Sequence, residues 1–135
     1  MVITGLDTET TGFDALTGDR IVEVCVSLYD YDGTVLKPLR TITERFNPER
    51  PIPAEAQRVH GISYEDVKAS PKWAEFAPKM DKILSRTELL VIHNAAFDVP
   101  FIEHEQKQAG YPVSRTPETF CTMVNGRWST FDGKS

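Results

Sequence analysis

The chain is poor in cysteine, and this scarcity excludes two classes of protein. Cys25 and Cys121 are too few for a disulfide framework and lack the paired spacing of a zinc site. We therefore expect both to be buried apolar residues of a cytoplasmic protein. No basic region followed by an apolar stretch opens the chain, and no apolar run approaches the thickness of a bilayer. These absences predict a protein without membrane contact.

Positive charge is scarce as well. The 135 residues include 15 Lys and Arg against 20 Asp and Glu, which gives a net charge of −5. A stand-alone module that binds long duplexes through their phosphates needs the opposite balance. The acidic balance suits an enzyme that gathers carboxylates around divalent cations and binds only a few nucleotides.

Repeats, low-complexity tracts and Ser/Gly-rich linkers are missing too. A length of 135 residues with 40% hydrophobic content suits one globular domain with a sizeable core. The nine prolines fall mostly at the boundaries of candidate elements. We therefore expect a single domain over residues 1–135.

The first third of the chain predicts three strands. Val2–Leu6 is a short apolar run, and Arg20–Tyr31 is a longer run rich in β-branched residues. Asp32 and Gly33 favour a tight hairpin, so that Thr34–Phe46 returns antiparallel to the second strand. The chain therefore opens with a predicted three-stranded β region.

Helices and strands alternate in the remainder. Turn and capping signals predict two short helices, Pro53–Val59 ended by Gly61 and another after Ser63 with Asp66. The later predicted elements are a helix after Pro71, a strand Leu89–Ile92, a helix Phe97–Gln108 closed by Gly110, and a strand Thr119–Met123. Residues of the helix after Pro71 that recur at helical spacing, and should face the core, are Trp73, Phe76, Met80, Ile83 and Leu84. Residues 126–135 carry no pattern, so we expect no closing helix.

These elements predict an α/β fold with a mixed β-sheet, an antiparallel N-terminal three-stranded region and flanking helices. Ligands in such sheets bind beyond the carboxyl ends of the strands. Asp7 and the stretch after Ile92 both follow predicted strands. The sequence therefore places the candidate site at this edge of the sheet.

Asp7 and Glu9 form the first candidate constellation. Side chains two apart on a strand point to the same side, so this pair can bind hard cations. About three such acidic pairs are expected by chance in a chain of this composition, so the pair alone is a weak signal. Thr10 and Gly12 then leave the strand in a turn whose backbone N–H groups can approach a phosphate, with Phe13 beside it.

Two further constellations follow. Asp98 lies in the first turn of a predicted helix, where it can reach toward Asp7 as a third metal ligand or simply cap the helix. Asn94 and two alanines precede it. Glu55 and His60 lie on successive helical turns, suited to contact a sugar hydroxyl and a phosphate. A histidine in such a place is more often structural.

Taken together, the three motifs resemble the DEDD superfamily of 3′→5′ exonucleases. The matching stretches are DTETTG from Asp7, PAE to HGI from Pro53 to Ile62, and HNAAFD from His93 to Asp98. Within the superfamily they are most similar to the DnaQ-like proofreading exonucleases, the epsilon subunits of bacterial replicative polymerases. The resemblance runs from about Val2 to Met123 and implies a ribonuclease-H-like fold.

The resemblance also implies roles for individual residues. Two Mg²⁺ or Mn²⁺ ions would be held by the catalytic carboxylates Asp7, Glu9 and Asp98. The residues that would bind the terminal nucleotide are Thr10, Gly12, Phe13, Glu55, His60, Asn94 and Phe97. Glu55 would approach the 3′-hydroxyl. The implied partners are nucleic-acid 3′ ends, DNA in preference to RNA, and a DNA polymerase subunit.

The chain departs from the family at its last motif, a histidine followed five residues later by an aspartate. No such pair follows Asp98 in the 135 residues. We therefore expect the domain to be C-terminally incomplete, without its C-terminal helix. Three of four carboxylates and no histidine base predict little or no activity for these residues alone.

Two alternatives to a DNA exonuclease stay open. The motifs do not separate DNA-directed members of the superfamily from RNA-directed exoribonucleases. A non-catalytic interaction or nucleic-acid-binding remnant of the fold is also compatible with the missing motif. Three carboxylates gathered at one strand edge argue against a remnant, because a scaffold has no reason to accept their mutual repulsion.

Overall fold

The computed structural model describes residues 1–122. Its strands are β1 Val2–Thr10, β2 Ile21–Tyr31, β3 Leu36–Arg45, β4 Leu89–Ile92 and β5 Glu118–Cys121. Its α-helices are α1 Ala54–His60, α2 Tyr64–Val67, α3 Trp73–Arg86 and α4 Ala95–Gln108. The predicted strand end at Met123 and the expected absence of a closing helix over residues 126–135 lie outside the described residues.

Within residues 1–122 the strands form one five-stranded sheet in the order β3-β2-β1-β4-β5. β1, β2 and β3 pair antiparallel, as the sequence predicted, whereas β1, β4 and β5 run parallel. The mixed sheet is therefore confirmed. β1 lies at its centre, with an antiparallel neighbour on one side and a parallel neighbour on the other.

β1 is longer than the sequence predicted. The apolar run ends at Leu6, but the strand continues to Thr10 because its backbone stays paired with β2 through the whole of the first motif. Burial alternates along it: Thr8 and Thr10 face the interior, while Asp7 is exposed and Glu9 is half-buried. Asp7 and Glu9 therefore share the outer face of the central strand.

The main core lies between the sheet and helices α3 and α4. The stripe predicted to face the core is buried as expected, at Trp73, Phe76, Met80, Ile83 and Leu84. Phe46 from the end of β3 packs against Trp73 and Phe76, with ring centroids 4.9 and 5.6 Å away. The aromatic contacts fix α3 across the antiparallel half of the sheet.

A smaller core positions α1 and α2 near the end of β1. Its buried members are Val22, Ile52, Ile62 and Val67. Gly61 ends α1 with φ 72°, a left-handed conformation that favours glycine, and Ser63 with Asp66 forms the predicted capping box of α2. The sequence-based helix boundaries here are confirmed to within one or two residues.

A buried ion pair ties α4 to the start of β2. Arg20 donates to Glu105 through Nε at 2.9 Å and Nη2 at 2.7 Å, and Ile21 N also donates to Glu105 Oε2 at 3.0 Å. The Glu105 side chain is only 2% exposed. The pair and its backbone bond satisfy the buried carboxylate, which would otherwise be costly to desolvate.

Glu105→Gln is therefore expected to lower the free energy of unfolding by about 2 kcal/mol, because bonds to a charged group are replaced by weaker ones. Urea unfolding monitored by circular dichroism measures the loss. Glu103→Gln, an exposed position on the same helix, is the matched control and should change stability by less than about 0.5 kcal/mol. Equal stability of the two variants would contradict this account of the ion pair.

The two cysteines are not the fully buried apolar residues that the sequence predicted. Cys25 and Cys121 are both half-buried. Cys25 lies on the outer face of β2 and accepts from Thr43 Oγ1 at 3.6 Å. The Cys121 thiol donates to His93 O at 3.4 Å and accepts from Ala95 N at 3.5 Å. The thiol of Cys121 thus links β5 to the segment that opens α4.

No helix within residues 1–122 combines the length and apolar character needed to cross a membrane.

Candidate active site

Asp98 occupies the first turn of α4 and points toward the inner face of β1. It is 4% exposed, and its Oδ1 accepts a 2.6 Å hydrogen bond from Thr8 Oγ1. Burial raises the pKa of its carboxyl from 3.8 to about 6, with smaller upward contributions from the charges of Asp7 and Glu9 and an opposing one from the Thr8 bond. The carboxylate is thus held against the first motif by a contact that spans 90 residues of sequence.

Glu9 shares this electrostatic environment. Burial, and then the neighbouring charge of Asp7, raise the pKa of its carboxyl above the usual value. The carboxylates of Asp7, Glu9 and Asp98 therefore repel one another. Within residues 1–122, however, no three His, Cys, Asp or Glu side chains lie close enough together to hold one ion. The reason is geometric: Asp98 is turned toward Thr8, whereas Asp7 and Glu9 lie on the opposite face of β1.

The turn after β1 is stabilised by its own polar groups. Thr10 Oγ1 donates to Gly12 O at 2.6 Å, and Thr11 N donates to Arg20 O at 2.9 Å. Phe13 follows with 83% of its surface exposed. A short 3₁₀ helix, Ala15–Thr17, then leads to β2 and was not predicted from the sequence. The turn therefore presents an aromatic ring beside the end of β1.

His60 joins α1 to the end of β1. Ile62 N donates to His60 Nδ1 at 3.0 Å, so the proton of the neutral ring lies on Nε2, which donates to Thr10 O at 3.0 Å. Both ring nitrogens are engaged with backbone atoms. His60 therefore has the structural role that was one of its two predicted roles, since its ring connects α1 to β1. A ligand would contact the face or the edge of the ring.

A cleft of about 460 Å³ lies between the end of β1, the turn, α1 and the start of α4. Its lining includes Glu9 and all seven residues expected to bind the nucleotide, namely Thr10, Gly12, Phe13, Glu55, His60, Asn94 and Phe97. Phe13 and Phe97 face each other edge to face across it, with ring centroids 6.4 Å apart. Asp7 and Asp98 are not lining residues, but Asp98 is bonded to Thr8, which is.

Comparison with known proteins supplies the family. A model of the family described as exonuclease, RNase_T, matches residues 4–130 of the 135. The chain belongs to this exonuclease family. The match includes the three motifs in which the resemblance to DnaQ-like proteins was found.

Relatives with curated names are DNA polymerase III epsilon subunits and an exonuclease. The epsilon subunit of Rickettsia conorii is 38% identical over 136 residues, covering 95% of this chain and 55% of the relative. The epsilon subunit of Escherichia coli is 33% identical over 129 residues, covering 89% and 49%. Uncharacterized exonuclease CP81 of Escherichia phage 186 is 35% identical over 124 residues, covering 90% and 56%. The chain spans about half the length of these relatives.

Solved structures of exonuclease I share the fold. E. coli exonuclease I in complex with a dT13 oligonucleotide superposes with a TM-score of 0.81 at 15% identity, covering 99% of this chain and 31% of that one. The product-bound structure of exonuclease I superposes with a TM-score of 0.80 at 14% identity, covering 99% and 33%. The ribonuclease-H-like fold class predicted from the sequence is confirmed.

Several residues near the candidate site were missed by the sequence-based prediction. Asp19 lines the cleft, yet it lies in a stretch without a motif signal. Thr8, inside the first motif, was passed over although it bonds Asp98. Thr122 Oγ1 lies within hydrogen-bonding distance of His93 Nδ1, at 3.0 Å, and so contacts the segment before α4. Thr8 and Thr122 act through partners distant in sequence, and Asp19 acts within an irregular turn, so no regular pattern could have revealed them.

The donor set suits a hard divalent cation. Carboxylate oxygens are the ligands that Mg²⁺ and Mn²⁺ prefer. Burial is the main cause of the raised pKa values of Glu9 and Asp98, and a cation would offset the smaller contribution from neighbouring negative charge. Asp7 and Glu9 would hold the ion from the outer face of β1. Asp98 would be the third carboxylate of the set.

Proposed function

We propose that residues 1–135 belong to the catalytic domain of a metal-dependent 3′→5′ exonuclease that acts on single-stranded DNA. The observation that carries the proposal is the cleft, in which Glu9 lies beside an aromatic pair, a small-residue turn and the polar residues of α1. Its volume lies in the range of small-molecule sites and suits a terminal nucleotide rather than a duplex.

The cleft residues suggest how the terminal nucleotide is bound. Phe13 and Phe97 offer ring faces and edges to a base, a sequence-tolerant contact that suits an enzyme acting on any 3′ end. Glu55 is exposed on α1 and lines the cleft, where it can accept a hydrogen bond from the 3′-hydroxyl. Requiring this hydroxyl would restrict cleavage to chain ends.

The carboxylates would hold the metal that the reaction needs. Two divalent cations, when bound, supply activation of the attacking water and stabilisation of the leaving 3′ oxygen. Asp7 and Glu9 are fixed by the paired backbone of β1, and Asp98 is fixed by Thr8. Mg²⁺ or Mn²⁺ best matches these oxygen ligands, and the product would be a nucleoside monophosphate.

The choice of DNA, and of proofreading or repair as the context, rests on the relatives. Several of them are named as subunits of DNA polymerase III, so a polymerase subunit is the partner that we propose. The net charge of −5 suits short single-stranded ends or a domain tethered to another protein. RNA-directed cleavage is the alternative within the family.

A 5′-labelled single strand incubated with excess protein and Mn²⁺ tests the proposal. We expect one-nucleotide shortening from the 3′ end, release of nucleoside monophosphates, and complete loss with EDTA. The rate should be slow, and faster when the chain is extended by a helix carrying the family's His and Asp, because a fourth carboxylate and a base are then present. RNA of the same sequence separates the two substrate classes.

Three outcomes would count against the proposal. Internal cleavage would contradict the requirement for an end, and degradation that persists in EDTA would contradict metal dependence. If neither chain shortened the strand and Mn²⁺ caused no rise in melting temperature, a non-catalytic remnant would be the better description.

A further inference from the structure

The carboxylate of Asp19 accepts hydrogen bonds from the turn after β1 on both sides of Gly12 and Phe13. Its Oδ1 accepts from Thr11 Oγ1 at 3.0 Å, and its Oδ2 accepts from Asp14 N at 3.1 Å. The backbones of the same two residues are also bonded, because Asp19 N donates to Asp14 O at 3.1 Å. One side chain therefore fixes the residues immediately before and after the pair that lines the cleft.

Gly12 is fitted to this carboxylate. Gly12 is not among the glycines with positive φ, so its backbone does not by itself require glycine. A Cβ added to it would lie 2.4 Å from Asp19 Oδ2 and 2.6 Å from Asp19 Cγ. The absence of a side chain at Gly12 is what allows the Asp19 carboxylate to lie against the turn.

Asp19 is itself held in place. Arg50 Nη1 lies 3.3 Å from Asp19 Oδ1, and the Asp19 side chain is 17% exposed. Thr11, which is buried, accepts from Arg20 N at 3.0 Å while donating to Asp19. The carboxylate is thus orientated by a cation on one side and a buried hydroxyl on the other.

We propose that Asp19 is a positioning residue that fixes the Gly12–Phe13 turn for the terminal nucleotide. Phe13 makes few contacts of its own, since 83% of its surface is exposed, so its backbone must be held from elsewhere. The proposal rests on the proposed function. It assigns Asp19 no contact with the metal and no direct part in the reaction.

Asp19→Asn tests this role, because the amide keeps the size of the side chain but presents a donor where Asp14 N or Thr11 Oγ1 needs an acceptor. Calorimetric titration with thymidine 5′-monophosphate in Mn²⁺ should show about tenfold weaker binding. Titration with Mn²⁺ alone should stay within about twofold of the unchanged chain. A merely structural defect would weaken both.

Two further variants sharpen the test. Asp32→Asn is the matched control, because Asp32 Oδ1 also accepts from two backbone N–H groups of a turn, at 2.8 Å each, but far from the cleft along the β2–β3 hairpin. It should leave nucleotide binding unchanged. Thr11→Val removes only the hydroxyl that donates to Asp19, so it should weaken nucleotide binding too, and its effect should not add to that of Asp19→Asn.

The outcomes separate this proposal from the proposed function. No binding of the nucleotide by the unchanged chain would count against the proposed function. Binding by the unchanged chain that Asp19→Asn leaves intact, or additive effects of Asp19→Asn and Thr11→Val, would overturn the positioning role alone. Equal weakening in Asp32→Asn would show that any loosened turn has the same effect, which also overturns it.

Discussion

In the chain extended by a helix carrying the family's His and Asp, replacing Asp7 with asparagine is expected to lower the rate of metal-dependent shortening by more than about a hundredfold. Residues that only orient a metal ligand contribute about ten- to a hundredfold, so loss of a ligand's own charge should exceed that range. Asn has the same shape, and Asp7 is exposed on the outer face of β1, so the fold should be retained. The loss would therefore report on metal binding and not on unfolding.

The rise in melting temperature on adding Mn²⁺ provides an independent measurement. It should be present in the unchanged chain and lost in Asp7→Asn. Asp30→Asn makes the same change on the strand next to β1, at the opposite end of the sheet, and should leave both activity and the Mn²⁺ effect as they are. An Asp7→Asn variant that still responds to Mn²⁺ like the unchanged chain would remove Asp7 from the ligand set.

Asp98→Asn is expected to have two opposite effects. Without metal, the protein should become more stable at neutral pH, because the buried carboxylate is no longer ionised there and Thr8 can still donate to the amide oxygen. With Mn²⁺, the variant should bind the ion about tenfold less tightly or worse, since a charged group near the site is gone. A residue that merely capped the helix would show neither pattern.

The pH dependence of the stability difference follows from the raised pKa of Asp98. The contribution of this carboxyl to stability is fully present below its ordinary pKa of 3.8 and is lost as the pH rises through about 6. Asp98→Asn and the unchanged chain should therefore be similar near pH 4. By pH 7 the variant should be more stable by up to about 3 kcal/mol.

Urea unfolding in EDTA at the two pH values measures this difference. Comparing the two proteins at each pH cancels the contributions of other carboxylates, such as Asp32 and Asp66, whose pKa values are lowered by hydrogen bonds to the backbone. A variant no more stable than the unchanged chain at pH 7 would contradict the buried, strained carboxylate that the structure describes.

Elements specified by neighbouring residues could be read from the sequence. β4 was predicted at its observed bounds, Leu89–Ile92, because a short apolar run sits between a helix and a polar motif. The capping box of α2 and the glycine that ends α1 were predicted from residues three or four positions apart. In each case the stabilising partners are close in sequence.

Features specified by distant partners could not be read in this way. The extension of β1 to Thr10 depends on pairing with β2, and the orientation of Asp98 depends on Thr8. The Asp19 carboxylate matters through Thr11 and Asp14, in a stretch without regular pattern. The cleft residues came from the family resemblance, whereas their mutual arrangement required the fold.

The central position of β1 makes its backbone more rigid than the exposed aromatic side chain that follows it. A strand paired on both sides opens only with much of the sheet, so the backbone that carries Asp7 and Glu9 should be among the slowest to exchange its amide hydrogens. Phe13 lies beyond the last paired residue and its side chain is largely exposed, so the ring can reorient while Asp19 holds the backbone of the turn. If the proposed function holds, a nucleotide would enter and leave past the ring of Phe13 while Asp7 and Glu9 keep their places on β1.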